Sequence, residues 1–237
     1  TLNYNKAFAE IHNVSAIAGL QLEHRKIQNV YSRRSSPPKE GLTQVDAGTS
    51  GIQGEGNMVG LRMFSYFGRV NYSLYDKYLF EGNLRADASS RFAEGNRWGI
   101  FPGVSVGWRL IDEPFIENLG IFSNLKLRAS WGQLGNQNIA GYWPYLTIID
   151  QSNSLSYSSG GNFVPGAAVT ALIDENITWE TTSTLDFGID AGFLKNRITI
   201  EADYFKKRTT DIIVQLPIPS MLGGITAPYE NVGEMLN

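Results

Sequence analysis

Cysteine is absent from the 237 residues, and histidine occurs only twice. Without cysteine, thiol catalysis and cysteine metal sites are excluded from this stretch of chain. Neither His12 nor His24 has partners at the spacing that a metal site needs. The serines have no histidine nearby in sequence, and no Gly-x-Ser-x-Gly elbow occurs. The sequence therefore gives no support to nucleophilic or metal-dependent catalysis.

Long apolar runs and a strong excess of one charge are missing as well. No run of about 18 apolar residues occurs, so no transmembrane helix is predicted. This leaves a membrane β-barrel open, because barrel strands carry only a weak alternating pattern. The 20 basic and 23 acidic residues give a net charge of −3, which is too balanced to indicate nucleic-acid binding. The 25 glycines and the 12% aromatic content lead us to expect turns and aromatic-rich strands.

Two neighbouring stretches alternate between apolar and polar side chains. In Phe64–Leu74 the even positions are aromatic, aliphatic or glycine, and most odd positions are serine, arginine or asparagine. Tyr78–Asp87 repeats the pattern, with charged residues on its polar side. A period of two predicts a strand, because successive side chains of a strand point to opposite faces. Each stretch has about ten residues, which is enough for a tilted strand to cross a bilayer.

Similar stretches recur along the chain and predict an all-β fold. The candidate strands are Leu2–Phe8, Val14–Glu23, Leu61–Tyr75, Tyr78–Asp87, Phe101–Leu110, Asn124–Gln133, Trp179–Phe193 and Arg197–Phe205. We therefore expect about eight strands of an antiparallel transmembrane β-barrel sector. Tyr142–Asp150 is a further candidate for a short strand.

The connectors between these strands alternate in length. Short links are predicted at Ala9–Asn13, at Asp76-Lys77 and at Leu194-Lys195-Asn196, and long links at Lys26–Gly60, Ser89–Ile100, Leu134–Thr178 and Thr209–Asn231. The link Ile111–Ser123 takes a short-link slot but is longer, and its Asp112-Glu113-Pro114-Phe115 start predicts a helical turn. Short turns at one end and long loops at the other are typical of transmembrane barrels, with the short turns periplasmic and the long loops extracellular.

Several blocks of the chain resemble one known family. The blocks YLFEGNLRADASSRF, NRWGIFPGVSVGWRL, EPF and LKLRASWGQLGNQ, followed by ITWETTSTLDFGIDAGFLKNRITIEADYFKKRTTDII, PIP and NVGEMLN, occur in this order. Their order and spacing resemble the SusC/RagA family of TonB-dependent outer-membrane transporters throughout Leu61–Asn237. The first sixty residues are less distinctive. Ala86-Asp87-Ala88 departs from the Arg-Asp-Gly that is more common in the family at this point.

The resemblance implies a plugged barrel of roughly 22 strands in the outer membrane of a Gram-negative, Bacteroidetes-type cell. It implies TonB-driven import of a bulky nutrient, an oligosaccharide or a peptide, with a SusD-like lipoprotein over the extracellular mouth. Residues 1–237 are then part of the barrel domain, with the N-terminal plug, the TonB box and the final strands outside them. No cofactor, no nucleic-acid partner and no catalytic activity are expected.

Four carboxylates lie on the polar faces of two successive predicted strands. They are Asp186, Asp190, Glu201 and Asp203. One interpretation is a glycosidase carboxylate pair, and another is a cation site. The interpretation that the barrel favours is a solvated, ion-paired wall facing the lumen.

A second charged group lies at the top of one predicted hairpin. Its members, Arg85, Asp87, Arg91 and Arg97, are expected to form a hydrogen-bonded network that holds the Ser89–Ile100 loop.

Aromatic residues form two groups by position. Interfacial girdles would explain the aromatics at the ends of strands, which are Trp98, Phe101, Trp131 and Trp179 near the long loops and Tyr75, Tyr78 and Phe193 near the short turns. Packing within the loops is the alternative for Trp98 and Trp179. The aromatics inside the longest connector are candidates for ligand or lid contact, or for a small core of the loop itself: Tyr142, Trp143, Tyr145, Tyr157 and Phe163.

Two alternative hypotheses for the whole chain stay open at this stage. One is a secreted or surface glycan-binding β-sandwich or adhesin, which would have to pack its apolar face on itself. The other is a glycoside hydrolase built on the acidic strand residues.

Overall fold

The computed structural model describes residues 1–139, 141–151, 155–159, 161–164 and 166–237. Thirteen strands lie in these ranges: β1 (Leu2–Phe8), β2 (His12–Ser35), β3 (Ser50–Leu74), β4 (Tyr78–Ser89), β5 (Trp98–Arg109), β6 (Phe122–Asn136), β7 (Ile149–Asp150), β8 (Tyr157–Ser159), β9 (Asn162–Val164), β10 (Ala168–Val169), β11 (Glu180–Phe193), β12 (Ile198–Gln215) and β13 (Tyr229–Leu236). One helical turn, α1 (Pro114–Glu117), lies between β5 and β6.

Nine of these strands form one sheet in the order β1-β2-β3-β4-β5-β6-β11-β12-β13. Neighbours in the sheet are neighbours along the chain, apart from the step from β6 to β11 that bypasses the longest connector. The pairings from β3 to β13 and between β1 and β2 are antiparallel. The all-β, antiparallel prediction is confirmed. The sheet has β1 and β13 at its edges. Its nine strands are one more than the eight expected.

In the described ranges, no helix combines the length and the apolar character that crossing a bilayer requires.

The chain divides into two compact units. The larger comprises residues 1–22 and 63–237, and the smaller comprises residues 23–62. The smaller unit is a ribbon made of residues 23–35 of β2 and 50–62 of β3. Within it the Asn29 side-chain amide donates to Asn57 Oδ1 at 2.9 Å. At its closed end the Thr49 N–H donates to the Ser35 carbonyl at 3.0 Å.

The predicted long connector Lys26–Gly60 is wrong. β2 continues to Ser35 and β3 begins at Ser50, so that only residues 36–49 connect them. The prediction ended each strand where the apolar alternation ended. Most side chains of the ribbon are exposed, so no buried face imposes an alternating pattern, and the backbone ladder alone extends the strands.

The region assigned to the connector Thr209–Asn231 is also shorter than predicted. β12 runs to Gln215 and β13 begins at Tyr229. The candidate strand Tyr142–Asp150 is reduced to β7, which pairs with β10. The predicted helical turn near Pro114 is confirmed as α1, with Pro114 at its first position, where a missing N–H costs no hydrogen bond.

The sorted connector lengths are confirmed apart from the β5–β6 link, in which residues 110–121 form a longer connector than residues 90–97 between β4 and β5. The other turns at that end of the sheet are tight. Tyr75 and Asp76 have φ of 53° and 55°, and the Lys77 N–H donates to the Leu74 carbonyl at 3.0 Å, as in a β-turn with both central residues left-handed. The turn from Leu194 to Asn196 has three left-handed residues with φ from 52° to 59°. The long connectors lie at the other end, which matches the barrel pattern.

Candidate functional site: the two faces of the wall and the long connectors

The main sheet has an apolar face that nothing in the described chain covers. Val70, Leu84, Val104, Phe187 and Ile200 are each about half exposed. Cross-strand register keeps these positions on one face. Gly82 lies opposite both Val70 and Val104, and Trp131 lies opposite both Val104 and Leu185. Leu84 is two residues from Gly82, Phe187 is two residues from Leu185, and Ile200 lies opposite Ala191 on the same strand face. A soluble sandwich would bury such a face, whereas lipid would cover it in a membrane barrel. We call it the apolar face and the opposite side the polar face.

Aromatic side chains gather near both ends of the apolar face. Near the long connectors Tyr66 stacks on Trp98 with ring centroids 6.0 Å apart, and Phe64 meets Tyr66 edge-on at 4.6 Å. Near the short turns, Tyr78 stacks on Trp108 at 6.1 Å, and Phe122 packs on Phe193 at 5.2 Å. Such belts suit the headgroup regions of a bilayer.

Two predicted girdle residues lie elsewhere, and a third lies inside a strand. Phe101 and Trp179 are buried with Phe92, Ile139 and Ile177 in one cluster. The girdle assignment is therefore wrong for Phe101 and Trp179. Trp131 lies inside β6, opposite Val104 and Leu185.

A buried cluster ties the β4–β5 connector and both ends of the β6–β11 connector to the wall: Phe92, Phe101, Ile139, Ile177 and Trp179. Phe92 comes from the connector after β4, Ile139 from the one after β6, and Ile177 from the segment before β11. We call it the loop core. Phe92 packs on Trp179 with centroids 5.4 Å apart. The sequence offered no signal for it, because its members come from segments without a common period.

Glycines make room for the Phe101 ring of the loop core. A Cβ added at Gly99 or at Gly135 would overlap the ring atoms of Phe101. Both glycines are therefore required by close approach and not by a special backbone angle.

Two of the three arginines in the predicted loop network hold the loop, and they do so through backbone carbonyls. Arg91 Nη1 donates to the carbonyls of Ile139 at 2.9 Å and Gln137 at 3.2 Å, and Arg97 Nε donates to the Phe92 carbonyl at 3.3 Å. Arg85 Nε instead pairs with Asp87 Oδ1 at 2.8 Å, and Arg85 Nη2 donates to Ser65 Oγ at 3.1 Å. The prediction is therefore confirmed for Arg91 and Arg97, whereas Arg85 and Asp87 form a separate pair on the wall.

The polar face carries an ion triad. The Arg128 guanidinium lies 3.2 Å from Asp190 Oδ1 and 2.8 Å from Asp203 Oδ1. Gly188 of β11 lies between them, opposite Arg128 of β6 on one side and Asp203 of β12 on the other. Any Cβ at Gly188 would collide with the side chains of this pair. The predicted ion-paired wall is confirmed for Asp190 and Asp203. One guanidinium thus pairs with both carboxylates and leaves the triad with a net charge of −1. Both carboxylates are held in ion pairs, which is unlike a glycosidase site with a free acid and a free nucleophile.

Beside the triad the polar face forms an open depression of about 800 Å³. Its charged lining is mixed, with Lys6, Lys126 and Arg128 against Glu81 and Asp186. Serine and asparagine side chains supply much of the rest. The depression is thus an open polar surface that carries charges of both signs. In the part of the chain that the structure describes, no group of three or more histidine, cysteine, aspartate or glutamate side chains could hold a metal ion.

The five candidate contact residues lie in two parts of the long connector, three near its start and two on the hairpin of β8 and β9. Tyr142 lies next to Trp143, with centroids 6.2 Å apart, and the Arg91 guanidinium carbon is 5.6 Å from the Tyr142 ring centroid. Tyr142 is thereby attached to the anchored loop, while Trp143 is more exposed and Tyr145 is half-buried.

The remaining two candidates, Tyr157 and Phe163, lie on the small hairpin of β8 and β9. Tyr157 pairs with Val164, and Phe163 pairs with Ser158, so their side chains project from opposite faces of the hairpin. Phe163 is 83% exposed and Tyr157 is 58% exposed.

A carboxylate clasp at the short-turn end was not predicted. The Tyr78 hydroxyl donates to Glu113 Oε1 at 2.8 Å, and the Trp108 indole N–H donates to the same oxygen at 3.3 Å. Lys77 Nζ lies 3.8 Å from Glu113 Oε2. The Tyr78 hydrogen bond, followed by that of Trp108 and the charge of Lys77, lowers the pKa of Glu113 below its usual value.

Comparisons with known proteins agree with this architecture. A family model described as "TonB dependent receptor-like, beta-barrel" matches residues 3–237. The TonB-dependent receptor SusC of Bacteroides thetaiotaomicron is 37% identical over 175 residues, which cover 74% of this chain and 17% of SusC. The TonB-dependent receptor P3 of Formosa agariphila is 32% identical over 240 residues, covering 100% of this chain and 23% of P3.

A solved structure shares the backbone arrangement. The RagAB peptide importer in its "closed-closed" state superposes with a TM-score of 0.87 at 25% identity, covering 99% of this chain and 25% of that one. The chain spans 17% to 23% of the length of these two curated relatives. The uncovered apolar face, the sorted connectors and the SusC similarity together confirm the family resemblance seen in the sequence. The chain belongs to the TonB-dependent receptor family of outer-membrane β-barrels, among its SusC-like members.

Proposed function

We propose that residues 1–237 form a sector of the barrel of a SusC-type TonB-dependent transporter. The observation that supports this best is that one sheet has an exposed apolar face and an opposite polar face with paired charges. In this proposal the plug, the TonB-contacting segment and the remaining strands belong to other parts of the protein. The sector catalyses nothing, and supplies wall, lumen and loops for energised uptake.

The cargo in this proposal is a bulky oligosaccharide or peptide. Similarity to SusC, and to a solved complex whose name describes a peptide importer, supports a large nutrient. A SusD-like lipoprotein would cover the extracellular mouth. TonB would supply the energy through the segment outside this chain.

The exposed aromatics of the long connector would contact the cargo or the lid. Three of them are the best candidates, since all are exposed and none belongs to the loop core: Phe163, Tyr157 and Trp143. Tyr142 has a structural role beside Arg91, so it would act by holding Trp143. Tyr145 completes the set.

Uptake by intact cells tests this proposal. Cells lacking the receptor would be complemented with the native gene or with variants, and supplied with labelled oligosaccharides or labelled peptides. We expect energy-dependent uptake of one of the two classes. No difference in uptake of either class between complemented and receptor-deficient cells would contradict the transporter assignment.

Variants of the connector separate cargo contact from lid contact. Trp143→Ala and Phe163→Ala are each compared with Met221→Ala, which removes an exposed apolar side chain from another connector. Loss of uptake with normal co-purification of the lipoprotein indicates cargo contact, because stacking on a ligand is lost. Loss of co-purification indicates lid contact. Normal uptake and normal co-purification for both variants would contradict a role for these residues.

A further inference from the structure

We infer that the connector between β5 and β6 is an interfacial anchor that inserts apolar side chains among the phospholipids at the short-turn rim of the barrel. The inference rests on the proposed membrane barrel and adds a lipid-binding surface to it. The surface consists of Phe115, Leu119 and Ile121 of the connector and Leu194 of the turn after β11. We call these four residues the rim patch.

The carboxylate clasp places the connector on the lipid side of the wall. Glu113 accepts hydrogen bonds from Tyr78 and Trp108. These two aromatics lie opposite each other in the β4–β5 register, in phase with Phe80 and Val106 of the apolar face. Because Glu113 immediately precedes α1, the helical turn begins against the apolar face and not over the polar depression.

The rim patch is exposed although its side chains are large and apolar. Phe115 is 59% exposed, Leu119 is 54%, Ile121 is 57% and Leu194 is 65%. The helical turn continues as far as Leu119, because the Asn118 N–H donates to the Pro114 carbonyl and the Leu119 N–H donates to the Ile116 carbonyl. In such a turn, residues four apart share a face. Phe115 and Leu119 therefore project together.

The patch continues an interface that the fold already makes. Ile121 directly precedes Phe122, which packs on Phe193 in the aromatic belt of the short-turn end. Leu194 directly follows Phe193, and the Lys195 N–H donates to Ser123 Oγ at 2.7 Å, which holds the two segments together. Lipid that covers the belt would therefore reach the patch without a break.

The charges around the patch fit a phospholipid surface. Lys77 Nζ lies 3.8 Å from Glu113 Oε2, and Arg109 Nε lies 3.2 Å from Asp112 Oδ2. Each of these carboxylates is therefore paired with a cation. Lys195 and Arg197 are exposed in the turn beside Leu194, where they can meet headgroup phosphates. Glu117 lies two residues from both Phe115 and Leu119, and so projects from the opposite side of the turn. Such a short amphipathic turn suits the headgroup boundary.

Depth-dependent quenching tests the anchor in the intact receptor. Single cysteines replace Phe115 or Leu119, with any native cysteines of the receptor changed to serine, and carry an environment-sensitive fluorophore in phospholipid nanodiscs. We expect lipids with a nitroxide near the headgroup to quench both probes about twofold more than a probe at Glu10→Cys, which lies in a polar turn of the same rim. A probe at Val104→Cys should be quenched most by a nitroxide near the end of the acyl chain.

The outcomes separate the anchor from the membrane barrel. If the Val104 probe is quenched but the Phe115 and Leu119 probes behave like the Glu10 probe, the anchor is wrong and the barrel stands. If the Val104 probe is not quenched by any lipid, the proposed membrane wall fails as well. If the rim probes resist both lipid nitroxide and aqueous iodide, a protein covers the patch, and the lipid assignment is overturned.

Discussion

The Trp179 indole N–H donates to the backbone carbonyl of Arg97 at 2.9 Å, across 82 positions of sequence. This bond joins the start of β11 to the loop after β4, directly beside the buried rings of Phe92 and Phe101. The long connectors on either side of it are thus attached to the wall by a small, fully packed cluster. In the proposed transporter, this cluster would fix both ends of the long connector that carries the candidate contact residues.

Truncating the centre of the loop core should release the connectors without breaking the wall. Phe92 is completely buried, so Phe92→Ala should cost about 3–5 kcal/mol locally. Hydrogen exchange in the purified receptor should show faster exchange for residues 90–97 and 137–139. Met221→Ala, at a fully exposed site, serves as the control and should leave exchange unchanged. Equal exchange in both variants would show that the loop core does not hold the connectors.

A methyl group at Gly135 should displace the Phe101 ring. Gly135→Ala places a Cβ where the ring now lies, and overpacking of this kind costs about 1–3 kcal/mol. Phe101→Leu in the same chain removes the outer ring atoms and should recover part of the lost thermal stability. Gly54→Ala is the control, because a Cβ at Gly54 would meet open space. No rescue by Phe101→Leu would contradict the steric explanation.

Charge placement distinguishes the two faces of the wall. Arg in place of Val70 would put a cation on the apolar face, at a cost of about 2–4 kcal/mol if the site lies near the bilayer midplane. Arg in place of Asn71, which lines the polar depression, should change stability little. The measurement is the denaturant midpoint of the full receptor in lipid vesicles. Equal destabilisation by both substitutions would contradict the assignment of faces.

Acid should weaken the carboxylate clasp. The pKa of Glu113 is lowered in the folded protein, chiefly by the Tyr78 hydrogen bond, so the folded state favours the ionised form. The clasp therefore contributes fully above the unfolded-state pKa of about 4.3 and loses its contribution as pH falls through the lower folded-state value. The difference in unfolding midpoint between the native receptor and Glu113→Gln should be constant near neutral pH and shrink in acid. A difference that grows on acidification would contradict this sign.

Local sequence was sufficient for the strands and their two faces. The even positions of Phe64–Leu74 are apolar, and the backbone of a strand sends alternate side chains to opposite sides, so this segment predicts β3 and its orientation without any knowledge of the partner. The tight turn at Tyr75 and Asp76 and the helical turn at Pro114 are likewise local events. Together they were enough to sort the connectors by end and to favour a barrel.

Features that depend on distant contacts were decided by the tertiary structure. Phe101 and Trp179 carry the same local signal as girdle residues, and only the arrival of Phe92 and Ile177 buries them. The ribbon of residues 23–62 has no buried face, so hydrophobic periodicity could not mark its strands. Glu113 became a clasp because Tyr78 lies opposite Trp108 in the register. Burial and pairing between segments far apart in sequence depend on which strands and connectors meet in three dimensions, and a pattern with a period of two residues does not encode that.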